Sequence, residues 1–368
     1  MPPLKLLLVT HSLSGGGAER FASILARHLD RGRFSPAIAT ATPRRSYAVP
    51  GDVVVSELAY RGLATLPRTV RRLRRLIETT RPDLVLSNVL STNGLTGWAL
   101  RGVAKPPAWV ARIGNAPRIG EPGFQRRIIR RRYRRAAAVV CNSEGARAEF
   151  VRCYPEHAGR TEHLPNPTDF EQLDRLAAEP AAPDTEPPVI LWVGRLVPQK
   201  RPDLLIDAFS RVRPQVPSRL VVCGDGRLQR RVEKRVRERG VARDVELRGF
   251  VDNPFALMSR SDLFVMTSDF EGLPNALIEA QGLGLAAVAT RCPYGVDEVV
   301  ADGETGRLVE TGDDAALARE MVALLRDHDR RRAMADRARE RARSLFALDA
   351  VLPRWQALLE RAASTRRA

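Results

Sequence analysis

The chain has 368 residues, 44% of them hydrophobic, and a formal net charge of +17. This length is too great for one ordinary hydrophobic core and fits two domains of about 150 to 200 residues. Because no apolar run approaches the roughly 20 residues that a membrane span needs, the sequence argues against an integral membrane protein and predicts a soluble or peripheral one.

The first half predicts an alternation of strands and helices. It opens with an apolar strand over residues 4–10, a glycine-rich turn at 12–18 and a helix with one apolar face. Further strands are predicted at 37–41, 53–58, 83–87, 108–113 and 138–142. This alternation is typical of a parallel, doubly wound α/β sheet.

The second half repeats this pattern after a segment rich in Pro, Ala, Asp, Thr and Glu at 180–188, a composition typical of linkers. Strands are predicted at 189–193, 219–223, 245–248, 263–266, 287–289 and 306–309. We therefore predict two Rossmann-like domains, 1–170 and 189–348, joined by a linker at 171–188 and facing each other across a cleft. A last helix at 349–368 is expected to cross back to the first domain.

Two carboxylates eight positions apart, Glu271 and Glu279, stand out in the second half. Glu271 lies in a loop, and Pro274 suits the first turn of the helix that follows. A carboxylate more than one turn into that helix, Glu279, could accept two hydrogen bonds from a vicinal diol such as ribose, while Glu271 would face a sugar. An exposed loop acid and a solvated helix acid remain the alternative for the motif alone.

Arg195 and Lys200 follow the first strand of the second domain, where open α/β sheets bind ligands. Two cations there suit a leaving diphosphate. The triplet Gly15, Gly16 and Gly17 follows the first strand of the first domain and would let a diphosphate approach the backbone. Solvated loop cations and a structural turn are the respective alternatives.

The chain resembles the family 4 retaining glycosyltransferases of the GT-B fold (glycosyl transferases group 1) along nearly its whole length. The motifs are Gly-Gly-Gly-Ala-Glu-Arg20, Cys-Asn-Ser-Glu144, Leu-Pro-Asn-Pro-Thr-Asp169, Val-Gly-Arg-Leu-Val-Pro-Gln-Lys200, Cys-Gly-Asp-Gly226, Gly-Phe-Val251, the 271–279 motif and Gly295-Val-Asp-Glu298. The resemblance implies transfer of a sugar from a nucleotide diphosphate sugar, with a UDP-sugar favoured, and retention of the anomeric configuration.

The resemblance also implies roles for the matching residues. Arg195, Lys200 and Glu271 would be catalytic, the two cations holding the diphosphate and Glu271 facing the donor hexose. The nucleotide base of the donor is expected to lie near Val251. The donor-binding residues share the loops after the strands and the start of one helix: Gly15, Gly16, Gly17, Gly194, Gly224, Val251, Leu273, Asn275, Ala276, Leu277 and Glu279.

One motif departs from the family. Many relatives carry a histidine in the loop after the strand that matches 109–113, but this chain reads Arg112-Ile-Gly-Asn-Ala-Pro117. No general base is therefore assigned, and Arg112 and Asn115 are the candidate contacts for the acceptor or the donor hexose. The resemblance implies a front-face attack in which the leaving phosphate takes the acceptor proton, so that Arg195 and Lys200 would carry most of the catalysis.

The excess charge is confined to the first half. Residues 1–170 carry 28 Lys and Arg against 12 Asp and Glu, whereas residues 171–368 carry 32 against 31. Residues 126–135 alone hold seven arginines, with Phe124, Ile128, Ile129 and Tyr133 at helical spacing. This segment, 124–135, is predicted to be a basic amphipathic helix that contacts an anionic membrane surface. A core-facing helix with a solvated basic back is the alternative.

The predicted function is transfer of a hexose or N-acetylhexosamine to a polyprenyl-diphosphate-linked, other lipid-linked or polysaccharide-precursor acceptor in cell-envelope glycan synthesis. The alternatives are a soluble small-molecule acceptor and, from another class, a non-enzymatic polyanion-binding protein. Nucleic acid is not an expected partner, because aromatic residues are few and not interleaved with the basic stretches. No cofactor or metal is expected, and the widely spaced cysteines indicate a cytoplasmic protein, peripheral at the inner face of the cell membrane if the basic helix binds lipid.

Overall fold

The structure, a computed structural model, describes residues 2–44, 46–114, 123–179 and 187–365, with the backbone alone at 124 and 125. The chain divides into two compact units. The first unit comprises Met1–Pro167 and Leu348–Ala368, and the second comprises Thr168–Ala347.

The first unit contains a seven-stranded parallel sheet in the order β3-β2-β1-β4-β5-β6-β7. Its strands are β1 Leu4–Thr10, β2 Phe34–Thr40, β3 Val55–Glu57, β4 Leu84–Asn88, β5 Ala108–Ile113, β6 Ala138–Cys141 and β7 Thr161–His163. Its helices up to this point in the chain are α1 Gly17–His28, α2 Leu66–Thr80, α3 Leu90–Ala99, α4 Gly123–Arg132 and α5 Glu144–Cys153. The strand order reverses between β1 and β4, which makes their carboxyl ends the switch point of the sheet.

The second unit contains a six-stranded parallel sheet in the order β10-β9-β8-β11-β12-β13. Its strands are β8 Val189–Val193, β9 Arg219–Cys223, β10 Val245–Gly249, β11 Leu263–Met266, β12 Ala287–Thr290 and β13 Arg307–Val309. Its helices are α6 Phe170–Ala177, α7 Pro202–Val212, α8 Gln229–Glu238, α9 Phe255–Met258, α10 Asn275–Gly282, α11 Val296–Val299, α12 Asp314–Arg326 and α13 His328–Phe346. Here the order reverses between β8 and β11.

Side chains alternate between two cores in the second sheet. Along β8, Ile190 and Trp192 pack into the core on one face, while Leu191 packs into the core on the other. This period of two follows from the strand geometry, and burial on both faces explains the continuous apolar runs from which the strands were predicted. The sequence-based prediction of a doubly wound α/β fold is confirmed.

The last helix, α14 Leu348–Ser364, belongs to the first unit. Trp355 is fully buried there, its ring lies 4.8 Å from that of Phe21 in α1, and its Nε1 donates a hydrogen bond to the carbonyl of Pro165 at 2.9 Å. Two ion pairs add to this packing at the surface, Arg33 with Glu360 and Arg361 with Glu162. The core of the first unit is therefore built from both ends of its sequence.

The predicted linker at 171–188 is wrong in its first part. Residues 170–177 form α6, because Asp169 caps the helix by accepting a hydrogen bond from the amide of Gln172 at 2.9 Å, and Phe170 and Leu173 are buried in the second core. The N-terminal segment of the first unit accordingly ends at Pro167, three residues before the predicted boundary at 170. Residues 180–186 lie outside the described part of the chain. The short strand β7 was not predicted, because a strand of three residues is too short to show a recognisable alternation of buried and exposed positions.

Candidate functional site

The predicted catalytic residues meet at the switch point of the second sheet. Strands β8 and β11 are neighbours, and each is followed by a loop at its carboxyl end. The loop after β8 carries Arg195 and Lys200, and the loop after β11 carries Glu271. Crevices at such switch points are where open α/β sheets bind ligands.

Lys200 and Glu271 form an ion pair in which the lysine Nζ donates to Glu271 Oε1. The hydroxyl of Ser268 donates to the same oxygen at 2.7 Å. The side chain of Glu271 is 7% exposed and that of Lys200 22% exposed, so the carboxylate is buried beneath the cation. A buried carboxylate requires such donors, because burial without them would disfavour its charged form. The pair thus places one negative and one positive group at the base of the site.

Four further contacts tie the two loops together. Thr267 Oγ1 donates to the carbonyl of Lys200 at 2.7 Å, and Gln199 Nε2 donates to the carbonyl of Phe270 at 2.9 Å. The amide of Asp269 donates to the carbonyl of Gln199 at 2.9 Å, and the carboxylate of Asp269 pairs with Arg201 at 3.1 Å. Sequence reasoning named the charged ends of this network and missed the supporting residues. Their contacts join loops 67 or more residues apart, and sequence spacing does not show that these two loops touch.

The loop after β9 lies directly on the loop after β8. A Cβ added to Gly224 would stand 1.8 Å from the carbonyl oxygen of Gly194, and Gly224 has a φ of +147°. A side chain is therefore excluded at position 224 by space and by backbone conformation. Arg195 follows Gly194 and is exposed, while the amide of Leu196 donates to the carbonyl of Asp225 at 2.7 Å. The two glycines bring the backbones together and leave the guanidinium of Arg195 at the surface.

Pro274 was predicted in the first turn of the helix of the 271–279 motif, and it stands directly before that helix. Helix α10 begins at Asn275, with Pro274 as its N-terminal cap, and Glu279 lies more than one turn inside and is mostly buried. Leu273 and Leu277 were predicted to bind the donor with the help of the amides between Glu271 and Glu279, and the side chains of both are buried in the core. The amide of Leu277 moreover donates to the carbonyl of Pro274. Leu277 is thus a packing residue, and Leu273 can offer a ligand its backbone alone.

Two further predicted donor-binding positions at this edge have similar exposure. Ala276 is half-buried on the first turn of α10, and Val251 is half-buried after β10. Phe250, beside Val251, is 53% exposed and was not singled out from the sequence. An exposed aromatic ring at the position where the base is expected offers a face on which a planar ring can stack.

The glycine triplet lies at the switch point of the first sheet. Gly15 has a φ of +80°, Gly16 is the extended N-terminal cap of α1, and Gly17 is its first residue. Asn88, at the end of β4, donates through Nδ2 to the carbonyl of Ala18 and so ties the start of α1 to the neighbouring strand. The triplet therefore belongs to the first unit, whereas Arg195, Lys200, Glu271 and Glu279 belong to the second.

Arg112 was predicted to contact the acceptor or the hexose, and its environment contradicts that role. The residue is 1% exposed, donates to Asn88 and Asn166, and lies 4.3 Å above the ring of Phe21. Burial lowers the pKa of this guanidinium to about 10. Two of its guanidinium nitrogens donate to side chains of the first unit, so Arg112 supports that unit from inside. Asn115 lies outside the described residues.

The basic segment at 124–135 is a helix whose apolar positions face inward. Ile129 and Tyr133 are buried, and Tyr133 Oη accepts a hydrogen bond from Asn93 at 2.9 Å. Two residues of the predicted apolar stripe are thus part of the core of the first unit, Ile128 is half-buried, and the side chain of Phe124 lies outside the described part of the chain. The arginines at 126, 127, 130, 131, 134 and 135 are exposed. The alternative of a core-facing helix with a solvated basic back describes this segment.

Neither a metal site nor a membrane span is found among the residues that the structure describes. No group of three or more His, Cys, Asp or Glu side chains there could hold a metal ion. Asp327, which with Asp329 forms an Asp-x-Asp sequence of the kind that can bind a metal, instead caps α13 by accepting a hydrogen bond from the amide of Arg330 at 3.0 Å. No described helix is both long enough and apolar enough to cross a bilayer.

Two family models match the chain. "Glycosyltransferase Family 4" matches residues 15–172, and "Glycosyl transferases group 1" matches residues 176–341. A diphospho-undecaprenol 4-α-N-acetylgalactosaminyltransferase of Campylobacter jejuni is 31% identical over 58% of this chain and 57% of that protein. The chain thus spans little more than half of that relative. The lipopolysaccharide core biosynthesis glycosyltransferase LpsE of Rhizobium meliloti is 29% identical over 95% of this chain and 98% of that protein.

Solved structures share the fold. HepE of Anabaena, solved with UDP and glucose, superposes with a TM-score of 0.81 at 20% identity, covering 97% of this chain and 99% of that one. Sucrose-phosphate synthase of Thermosynechococcus elongatus gives 0.81 at 20% identity, with 98% and 100% covered. The two family matches show that the chain belongs to glycosyltransferase family 4, and the solved structures show that it has the GT-B fold of two parallel-sheet α/β domains.

Proposed function

We propose that the protein transfers a hexose or N-acetylhexosamine from a UDP-sugar, with retention of configuration, to a lipid-linked acceptor of cell-envelope glycan synthesis. The observation that carries the proposal is the Lys200–Glu271 pair at the switch point of the second sheet, with Arg195 exposed beside it. This arrangement supplies positive charge where a diphosphate would lie and a carboxylate where the sugar would lie. UDP in the solved structure of Anabaena HepE supports the choice of donor.

In this proposal the two cations stabilise the leaving diphosphate. Negative charge develops on the phosphate oxygen as the bond to the sugar C1 breaks, and Arg195 and Lys200 would neutralise it without a metal ion. The acceptor oxygen forms its bond to C1 on the same face, and its proton passes to the leaving phosphate oxygen. Glu271 would accept hydrogen bonds from the hexose hydroxyls, and Glu279 from the ribose.

The acceptor side of the proposal rests on charge. Nearly all of the excess positive charge lies in residues 1–170, and α4 and the residues after it present an exposed row of arginines. A polyprenyl diphosphate carries negative charge and sits at a membrane surface that is itself anionic. The named substrate of the Campylobacter jejuni relative is a diphospho-undecaprenol. Because Ile129 and Tyr133 are buried in the core of the first unit, we propose an electrostatic contact with the lipid surface rather than insertion.

The donor assignment is tested by a thermal-shift panel of UDP-, GDP- and ADP-sugars combined with donor hydrolysis. Selective binding of UDP-sugars should raise the melting temperature, because a ligand stabilises the state it binds. Glu279→Gln should lose at least tenfold in hydrolysis rate, whereas Glu340→Gln, an exposed helix acid in the same unit, should not. No shift with any nucleotide sugar would contradict the donor assignment.

The acceptor assignment is tested by sedimentation with vesicles that contain phosphatidylglycerol. Charge reversal at Arg130, Arg131 and Arg134 to glutamate should abolish binding at low salt. The control reverses three arginines of α2 in the same unit, at positions 68, 71 and 75, all exposed. Equal binding by both triple variants would refute the assigned surface. Transfer to a soluble acceptor with no dependence on vesicles would favour the soluble-acceptor alternative.

A further inference from the structure

The loop after β12 contains a tyrosine in a backbone conformation that tyrosine rarely adopts. Tyr294 has a φ of +90°, the largest value among the non-glycine residues with positive φ that the structure describes. A residue with a Cβ is strained in this region, whereas glycine is not. Such strain persists when the surrounding structure determines the backbone, and it is common at ligand-binding sites.

The backbone is held on both sides of Tyr294. Cys292 is buried, and its amide donates to the carbonyl of Thr290 at 2.7 Å. On the other side, a Cβ added to Gly295 would stand 2.1 Å from the carbonyl oxygen of Gly272. Val296, which follows, is fully buried. The backbone is therefore held in place before and after Tyr294, and this prevents the loop from moving to relieve the strain.

The second of these anchors is the loop that carries Glu271. Gly295 lies against Gly272, the residue directly after Glu271. From the other end, Thr290 Oγ1 donates to the carbonyl of Ser268 at 2.6 Å, and Ser268 donates to Glu271. Burial, followed by the negative charge of Glu271, raises the pKa of the Cys292 thiol to about 12. Geometry and electrostatics thus place the 290–295 loop beside the carboxylate.

A glycine at position 294 would remove the strain, so the side chain of Tyr294 must contribute something that offsets it. The residue is half-buried, neither a core residue nor a fully solvated one. Its ring offers an apolar face that can pack on a pyranose, and its phenol can both donate and accept a hydrogen bond. These are the properties by which a side chain distinguishes one sugar from another.

We propose that Tyr294 is a specificity-determining residue that selects the hexose of the donor. The inference rests on the proposed function, because it takes the loop of Glu271 as the place where the hexose binds. It adds a residue outside the motifs that were singled out from the sequence. The preference should be strongest between donor sugars that differ in the group to which the Tyr294 hydroxyl would form a hydrogen bond. A sugar without that group would leave a polar group unpaired at a buried site, which is costly.

The experiment compares Tyr294→Gly, Tyr294→Phe and a control, Arg81→Gly. Arg81 also has a positive φ, +45°, and lies at the end of α2 in the first unit. Its replacement by glycine therefore relieves strain in a different unit, at a position distant in sequence from the switch point of the second sheet. Each protein is measured for melting temperature, UDP affinity by calorimetry, and hydrolysis of UDP-glucose, UDP-galactose and their N-acetylamino counterparts.

Tyr294→Gly should keep or raise the melting temperature, change the Kd for UDP by less than threefold, and lower kcat/KM for the preferred donor at least tenfold. The preference between donors should shrink by a similar factor. Tyr294→Phe should lose part of the preference, and Arg81→Gly should lose none. Two results for Tyr294→Gly would overturn this inference without affecting the proposed function. One is an unchanged ratio of kcat/KM between donor sugars, and the other is a fall in melting temperature typical of a core residue. Failure of the wild type to bind UDP would overturn the proposed function with it.

Discussion

Removal of one member of the Lys200–Glu271 pair should cost more than removal of the other. Lys200→Met leaves a carboxylate whose side chain is 7% exposed with Ser268 as its remaining partner. Breaking a buried pair in this way costs about 3 kcal/mol. Glu271→Gln instead leaves a lysine that is 22% exposed and can reach water, at a cost of about 1 kcal/mol.

The double variant gives the coupling between the two groups. Two unit charges about 4 Å apart interact by about 4 kcal/mol at an effective dielectric constant of about 20. Partial exposure of Lys200 reduces this to about 2 kcal/mol, so the double variant should lose about 2 kcal/mol rather than the sum of about 4. For a unit of this size, about 1 kcal/mol corresponds to about 2–4 °C in melting temperature.

Differential scanning calorimetry of the four proteins measures these values. We expect shifts of about 6–12 °C for Lys200→Met, about 2–4 °C for Glu271→Gln and about 4–8 °C for the double variant. The control is Lys234 with Glu238, an ion pair 71% and 49% exposed on α8, which should show almost no coupling. Additive losses at Lys200 and Glu271, or equal losses in the two single variants, would refute the reasoning.

Three further predictions concern the scaffold. Trp355→Ala should destabilise the first unit by about 3–5 kcal/mol, measured by urea unfolding, and Trp355→Phe by clearly less, because the ring packs on Phe21. Gly224→Ala should lower the melting temperature and weaken UDP binding, whereas Gly240→Ala, with a φ of +68° and open space around it, should leave UDP binding unchanged. Burial lowers the pKa of His157, so the stability that depends on its neutral form should be lost as the pH falls below about 6.5. His157→Phe should therefore reduce the drop in melting temperature between pH 7.5 and 5.5, and an unchanged drop would contradict this.

The sheets could be predicted from the sequence because strands buried on both faces read as continuous apolar runs. The strands at 4–10, 108–113, 189–193, 219–223 and 263–266 were predicted with the bounds that the structure gives them. Helix α6 was missed because a composition typical of linkers begins soon after it. Phe170 and Leu173, which bury it, give too short a signal to outweigh that composition.

The charged residues of the candidate site could be predicted from the sequence, but the residues that hold its loops together could not. Arg195, Lys200, Glu271 and Glu279 could be found because their spacing matches strand ends and a helix turn. Gln199 and Thr267 could not be found, because their contacts join loops 67 or more residues apart, and sequence spacing does not show which loops touch. Arg112 was misjudged for the same reason. A cation at the end of a strand is expected to contact a ligand, and the sequence does not show that its side chain is buried.

The return of α14 to the first unit has a consequence for the order of folding during synthesis. Phe21 of α1 belongs to the core on one side of the first sheet, and Trp355 packs against it there. Until residue 355 has left the ribosome, this apolar surface stays open to solvent, although the second unit, Thr168–Ala347, is already complete. The unit encoded first is thus finished last, and until then its exposed face is a surface that chaperones would have to protect.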